Sequence, residues 1–161
     1  MLYLFVVLLA IFGLLPNTQL LATSIENECA RFSDLSAPTA KDAGGNEITS
    51  ANVSQMVIIF STFSNPCYFD QQVVIVTEVR DQDNATVFFQ YAPVRAGAFN
   101  SSEVGALWTP ETVGRYELRS FAFSNSSVQI LTELQTRELV VIDYGLVKMS
   151  LSGQRSSTLV L

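Results

Sequence analysis

Runs of apolar residues, alternating or continuous and separated by short turn-forming segments, make up most of the chain after residue 47. The strongest run, Val53–Phe63, is rich in β-branched and aromatic residues and is apolar on both faces at its centre, which predicts a strand inside a sheet. The other predicted strands are Ile48–Asn52, Gln72–Arg80, Ala85–Tyr91, Glu103–Thr109, Gly114–Phe123 and Thr136–Ile142. Residues 128–135 fit either a helical period or a strand, and Tyr144–Leu151 is a candidate last edge strand.

Turn-forming residues separate these runs. Asp42–Asn46 predicts a turn, and Asp81–Asn84 predicts a hairpin because Asn tolerates the left-handed backbone that such turns need. Pro93 is predicted to end the strand before it. The result is about seven or eight strands with turn signals roughly every 8–12 residues, the rhythm of an all-β sandwich.

The stretch with the clearest local pattern is Leu107–Leu118, which holds the only tryptophan, Trp108. It predicts the end of one strand, a corner and the start of the next. Tyr116 follows Gly114 in the pattern of a tyrosine corner, whose hydroxyl bonds back to the turn backbone. We therefore expect Trp108 and Tyr116 to be structural, in the core and at the corner. The alternative is a platform on which a sugar ring stacks.

Other aromatic residues are better candidates for a binding surface. Phe121 and Phe123 fall on the same side of their strand as the charged Arg115 and Arg119, so either a bulge intervenes or this outer face is covered. A loop, a glycan or a partner protein would provide such a cover. The aromatic residues that form this candidate partner surface are Phe88, Phe89, Tyr91, Phe121 and Phe123.

The first 24 residues are predicted to be a signal peptide. Leu2–Leu15 is apolar apart from Tyr3 and Gly13, and the small residues Ala22-Thr23-Ser24 offer a cleavage site after Ser24 or after Ala22. No Lys or Arg precedes Arg31, which departs from the usual pattern, so the alternative is an uncleaved membrane anchor. We expect residues 25–152 to form the sandwich and residues 153–161 a short tail, outside the cytoplasm.

Two further features fit an exported chain. The only cysteines, Cys29 and Cys67, are predicted to form a disulfide, the alternative being two free thiols. Four Asn-x-Ser/Thr sequences are candidate N-glycosylation sites in predicted loops and strand edges. They begin at Asn52, Asn84, Asn100 and Asn125.

Composition excludes several kinds of chemistry. The chain has no histidine, which removes Ser-His-Asp and Cys-His nucleophiles and His-ligated zinc or copper. Its net charge of −6 and scattered cations argue against a nucleic-acid partner and an anionic membrane surface. Asp81, Asp83 and Asn84 are a conceivable Ca²⁺ site, but the rest of an EF-hand spacing is missing. Glu111, Glu117 and Glu133 do not converge, so we expect no catalytic residue, metal or cofactor.

Several of these motifs together resemble a known type of domain. The motifs are Asp81-x-Asp83-Asn84, Phe88-Phe89, Trp108-Thr109-Pro110, Gly114-x-Tyr116 and Phe121-Ala122-Phe123. The resemblance, over roughly Leu35–Ile142, is to the immunoglobulin-like domains of secreted archaeal proteins, similar to FixG-type accessory and CARDB-like adhesion modules. It departs from them at Asn84, where glycine is usual, and in having Cys67.

That resemblance implies an immunoglobulin-like β-sandwich and a binding, adhesion or spacer role without catalysis. We therefore expect a non-catalytic extracellular module for cell-surface structure, adhesion or protein–protein interaction, with an unknown protein or envelope partner. The alternative is an accessory subunit of an envelope, surface-filament or membrane complex that is anchored by its N-terminal segment. The membrane is a partner only in that second case.

Overall fold

The computed structural model describes residues 29–126 and 129–143. The predicted signal peptide, the candidate strand Tyr144–Leu151 and the predicted tail lie outside these residues. The described residues form nine strands. They are β1 (Asp34–Leu35), β2 (Thr39–Lys41), β3 (Ser50–Asn52), β4 (Val57–Ser64), β5 (Gln71–Arg80), β6 (Thr86–Ala96), β7 (Ser101–Trp108), β8 (Gly114–Ser124) and β9 (Gln135–Ile142).

The strands form two sheets. In the first sheet, β7 pairs with one side of β4 along the whole length of β4. The short strands β1 and β2 pair with the other side of β4 and form one edge of the sheet, which is interrupted around Pro38. The second sheet has the order β3-β9-β8-β5-β6, antiparallel except for the parallel pair β3–β9. The prediction of an all-β sandwich is confirmed, and the two short strands β1 and β2 account for the larger strand count.

The core lies between β4 on one sheet and β5 and β8 on the other. Buried and half-buried residues alternate along β4, as expected for a strand with one face against a second sheet. Val57, Ile59 and Phe63 point inward and are fully buried. Between them, Ser61 of β4 meets Ser120 of β8, and their hydroxyl oxygens lie 2.9 Å apart in a fully buried hydrogen bond.

Two predicted strand boundaries are wrong by four residues or more. The strand predicted from Val53 begins at Val57, because Ser54 has a φ of 64° and donates its N–H to Pro110, which makes a turn. Pro93 does not end β6, which continues to Ala96. Strand β6 is the edge of its sheet and pairs only with β5, and an edge strand tolerates the missing N–H of proline.

The ambiguous segment is neither a helix nor a strand where it is described, over residues 129–134. It runs beside the end of β8: Leu131 donates its N–H to the Ala122 carbonyl, and the Thr132 hydroxyl accepts the Ala122 N–H. Residues 127 and 128 lie outside the described part of the chain.

The buried pair Ser61–Ser120 gives a first prediction. Ser61→Ala leaves the Ser120 hydroxyl buried without its partner, so we expect it to lower the free energy of unfolding by about 1–3 kcal/mol. Ser61→Ala/Ser120→Ala removes both hydroxyls and should cost less than the sum of the single changes, with a coupling of at least about 0.5 kcal/mol. Denaturant unfolding followed by Trp108 fluorescence measures all four proteins, and strictly additive losses would contradict this account.

Candidate functional site: the outer face of the five-stranded sheet

The face of the second sheet that points away from the core carries a patch of apolar side chains. Strand β5 lies between β6 and β8, so outward residues at matching positions stand side by side. Val76 is opposite Tyr91 and Phe121, and Val74 is opposite Pro93 and Phe123. We call this patch the aromatic face; it consists of Val74, Val76, Phe89, Tyr91, Pro93, Phe121 and Phe123.

The aromatic face divides into a buried centre and an exposed border. Val74 and Val76 are buried although they point away from the core, and they lie between residues of β6 on one side and Phe121 and Phe123 of β8 on the other. Phe121 and Phe123 are half-buried, whereas Phe89 and Tyr91 on the edge strand are 58% and 68% exposed. Exposed rings beside a buried apolar centre form a ready contact surface.

The sequence left two explanations for Phe121 and Phe123, and the register decides between them. Strands β5 and β8 pair without a shift from Val73–Ser124 to Arg80–Glu117, so no bulge turns these rings inward. The one register shift of β5 is with β6, between Val79 and Arg80. Phe88 points to the other side of its strand from Phe89 and packs against the core, so it does not join the aromatic face.

The other half of the same outer face is charged. Glu78 accepts hydrogen bonds from Arg80 Nε at 2.9 Å and from the Thr86 hydroxyl at 2.5 Å, and Arg119 lies 3.5 Å away. Burial acts to raise the pKa of Glu78, but the hydrogen bonds from Thr86 and Arg80 and the two arginine charges outweigh it and lower the pKa. Arg115 and Glu138 form a further, exposed ion pair at 3.0 Å. The apolar patch therefore has a charged border on one side.

The side-chain oxygen atoms of Asp81 and Asn84 accept hydrogen bonds from other groups of the same hairpin. Asp81 Oδ1 accepts the backbone N–H groups of Asp83 and Ala85 at 3.0 and 2.9 Å, and Asn84 adopts a left-handed φ of 61°. Asn84 Oδ1 accepts a hydrogen bond from Arg80. These are the bonds of a hairpin turn. Within residues 29–126 and 129–143, no group of three or more His, Cys, Asp or Glu side chains is placed to hold a metal ion.

The structure places Trp108 and Tyr116 in the core, with their ring centres 5.0 Å apart in an edge-on contact. The Tyr116 hydroxyl donates to the Thr112 carbonyl at 2.9 Å, which is the geometry of a tyrosine corner. An open cleft of about 560 Å³ runs beside this corner, between the edge strands β6 and β7. Its lining includes Val87, Phe88, Leu107, Trp108, Glu111 and Thr112.

Cys29 and Cys67 form the predicted disulfide, with their Cα atoms 5.7 Å apart. A residue that sequence reasoning missed, the buried Asn65, organises this end of the sandwich. Its Nδ2 donates to the carbonyls of Phe69, Ala96 and Gly97 at 2.8–3.1 Å, and its Oδ1 accepts from the backbone of Cys67 and the side chain of Gln71. One side-chain amide thus satisfies the polar groups of two loops.

The four candidate glycosylation sites lie at the two ends of the sandwich. Asn52 and Asn84 are at the end where β8 begins, and Asn100 and Asn125 are at the disulfide end. Asn84, Asn100 and Asn125 are exposed. Asn52 is half-buried, and its Nδ2, the atom to which a glycan would attach, donates to Gln55 at 3.3 Å.

Sequence reasoning also missed three exposed aromatic residues in the loops, Phe32, Tyr68 and Phe99. They lie outside the strands, where no periodicity identifies an outward-facing residue. Phe32 and Tyr68 lie within three residues of Cys29 and Cys67, but Phe99 is far from both along the chain, so the sequence offered no signal shared by the three.

Comparison with known proteins identifies the fold. No known protein family matches the chain, and no curated protein is similar to it in sequence. Its fold resembles that of the C-terminal domain of wzt, with 11% identity and a TM-score of 0.56, over 68% of this chain and 74% of that one. The solution structure of the CARDB domain of PF1109 from Pyrococcus furiosus matches with 16% identity and a TM-score of 0.50, over 69% of this chain and 96% of that domain.

A carbohydrate-processing enzyme also contains a similar sandwich. Bacteroides uniformis β-glucuronidase 2 matches with 7% identity and a TM-score of 0.56, but the match covers 67% of this chain and only 14% of that one. At these identities the likeness concerns the fold alone. The described residues therefore have the fold of an immunoglobulin-like β-sandwich.

The Glu78 cluster predicts a pH-dependent contribution to stability. The folded chain lowers the pKa of Glu78, so its contribution is fully present above the unfolded value, near 4.5, and is lost as the pH falls through the lower folded value. At pH 7, Glu78→Gln should lower the free energy of unfolding by about 1–2 kcal/mol, because a charge-assisted hydrogen bond becomes a neutral one. The difference from the parent chain should shrink when denaturant unfolding is repeated below pH 4.5.

The matched control is Glu103→Gln on the exposed side of β7, which should change stability by less than about 0.5 kcal/mol at either pH. A loss from Glu78→Gln that stays constant as the pH falls would show that the carboxylate charge is not responsible.

Proposed function

We propose that this chain is a non-catalytic extracellular module that binds a protein partner at the cell surface through its aromatic face. The observation that carries the proposal is the exposure of Phe89 and Tyr91 on a sheet whose core-facing side is already packed. Those rings contribute little to the core, so a second molecule can bury them on binding.

The shape of the surface favours a protein over a small ligand. A sheet face is broad and shallow, whereas small-molecule sites are concave and enclose most of the ligand. The aromatic face has an apolar centre beside charged groups at Glu78 and Arg119, which is the general arrangement of protein interfaces. Tyrosine is among the residues that contribute most to binding at such interfaces. The partner surface would be an apolar sheet or helix face with charged groups at one border.

Three observations support a non-catalytic, extracellular role. The disulfide Cys29–Cys67 is typical of an oxidising compartment. The apolar segment Leu2–Leu15 has the character of an export signal. The similar sandwich makes up only 14% of the β-glucuronidase chain, which fits an accessory module better than a complete enzyme. Glycans on the exposed Asn84, Asn100 or Asn125 would extend from the ends of the sandwich.

Site-specific photo-cross-linking on intact cells tests this function. A photoreactive phenylalanine at Tyr91 or at Phe121 should give the same protein adduct, because both positions belong to one surface. The control position is Val113, which is 54% exposed at one end of the sandwich and outside the aromatic face. Adding Phe89→Ser should remove the adduct from position 91 while leaving the folded yield unchanged.

The outcome also defines the partner. An adduct of two copies of this chain would identify the partner as a second copy. Adducts that are equally abundant from positions 91 and 113, or that survive Phe89→Ser, would contradict the aromatic face as the binding surface.

A further inference from the structure

Three of the most exposed aromatic rings of the described chain lie at the disulfide end of the sandwich. Phe32 and Phe99 are each 74% exposed, and Tyr68 is 60% exposed. The disulfide and backbone hydrogen bonds bring their segments together. Phe32 donates its N–H to the Cys29 carbonyl, Tyr68 follows Cys67, and Phe99 donates its N–H to the Cys67 carbonyl. We call these three residues the end cluster.

Phe99 is held in an unusual conformation. Its φ is 52°, in the left-handed region that bulky residues rarely adopt. The turn around it is fixed by the bond from the Asn100 N–H to the Gly97 carbonyl and by the bond from Phe99 itself to Cys67. A strained backbone that displays an apolar ring to solvent points to a role for that ring outside the fold.

The described part of the chain begins at Cys29, at this same end of the sandwich. Ser24 precedes Cys29 by five residues, and Cys29 is fixed to the sandwich through Cys67. A fully extended chain advances about 3.4 Å per residue, so Ser24 lies within roughly 17 Å of the disulfide. An environment that holds the run as far as Ala22 would therefore reach close to the end cluster.

We propose that the apolar N-terminal run is retained in a lipid bilayer and that the end cluster rests on the surface of that bilayer. Phe32, Tyr68 and Phe99 would then sit at headgroup level, where aromatic side chains are enriched in membrane proteins. Within the described residues no helix is long and apolar enough to cross a membrane. Tethering keeps the local lipid concentration high, so weak contacts of single rings suffice.

The net charge of −6 favours zwitterionic over anionic lipid as this surface. The orientation would point the Asn84 hairpin away from the membrane and leave the aromatic face on the side of the sandwich. Membrane contact and partner binding therefore use different residues and can fail independently.

Tryptophan scanning in lipid vesicles tests the contact. The full chain, with residues 1–24 present, would be reconstituted in phosphatidylcholine vesicles whose acyl chains carry bromine near the headgroup. Phe99→Trp and Phe32→Trp keep an aromatic ring at the contact and add an emission that bromine quenches on contact. The unsubstituted chain supplies the background from the buried Trp108.

We expect the added emission of both variants to be blue-shifted. We also expect this emission to be weaker in the brominated vesicles than in vesicles without bromine. The matched control is Val113→Trp, exposed at the opposite end, whose added emission should be unaffected. Circular dichroism confirms that each variant is folded. Equal quenching at positions 99 and 113, or no quenching at 99, would overturn the proposed contact.

The retained anchor has its own test, the mature N-terminus of the protein recovered from its source cells. Mass spectrometry should detect a peptide from the apolar run, N-terminal to Ala22. A mature chain that begins near Ile25 would overturn the proposal.

Discussion

The packing of β5 shapes both faces of the second sheet. The strand is apolar on both sides: Val73, Ile75 and Val79 pack into the core, while Val74 and Val76 point away from it. Exposed valines at the centre of a sheet cost hydrophobic free energy, about 25 cal/mol per Å² of apolar surface left in water. Phe121 and Phe123 of β8, which are half-buried, flank these valines on one side. The surface that results protects the strand and remains apolar on its outer side.

Much of this arrangement could be predicted from the sequence, because side chains alternate along a strand with a period of two. That period placed Phe121 and Phe123 on the outer face and Tyr116 on the inner one. It also gave the bounds of β5 and β9 to within one residue. Local patterns fail where contacts between distant segments decide the backbone. The turn at Ser54 depends on Pro110, and the continuation of β6 through Pro93 depends on its place at the edge.

The disulfide end was the least predictable part of the chain. Its loops have no period, and their geometry depends on Asn65, whose side chain connects Cys67, Gln71 and the segment after β6 that begins at Gly97. A single asparagine in a loop usually indicates a turn, so its burial at the centre of a hydrogen-bond network could not be inferred. The exposure of the aromatic rings at this end could not be predicted either, because an exposed loop residue produces no periodic pattern in the sequence.

The central claim is that the exposed rings of the aromatic face are present for a partner, and their contribution to the fold tests it most directly. The measurement is denaturant unfolding of Phe89→Ser/Tyr91→Ser beside the parent chain, followed by the fluorescence of Trp108, which lies in the core. The account predicts a loss of less than about 1 kcal/mol in the free energy of unfolding, because both rings are mostly exposed. A loss of about 3 kcal/mol or more, as for truncation of a core aromatic residue, would show that the rings serve the fold and would contradict the claim.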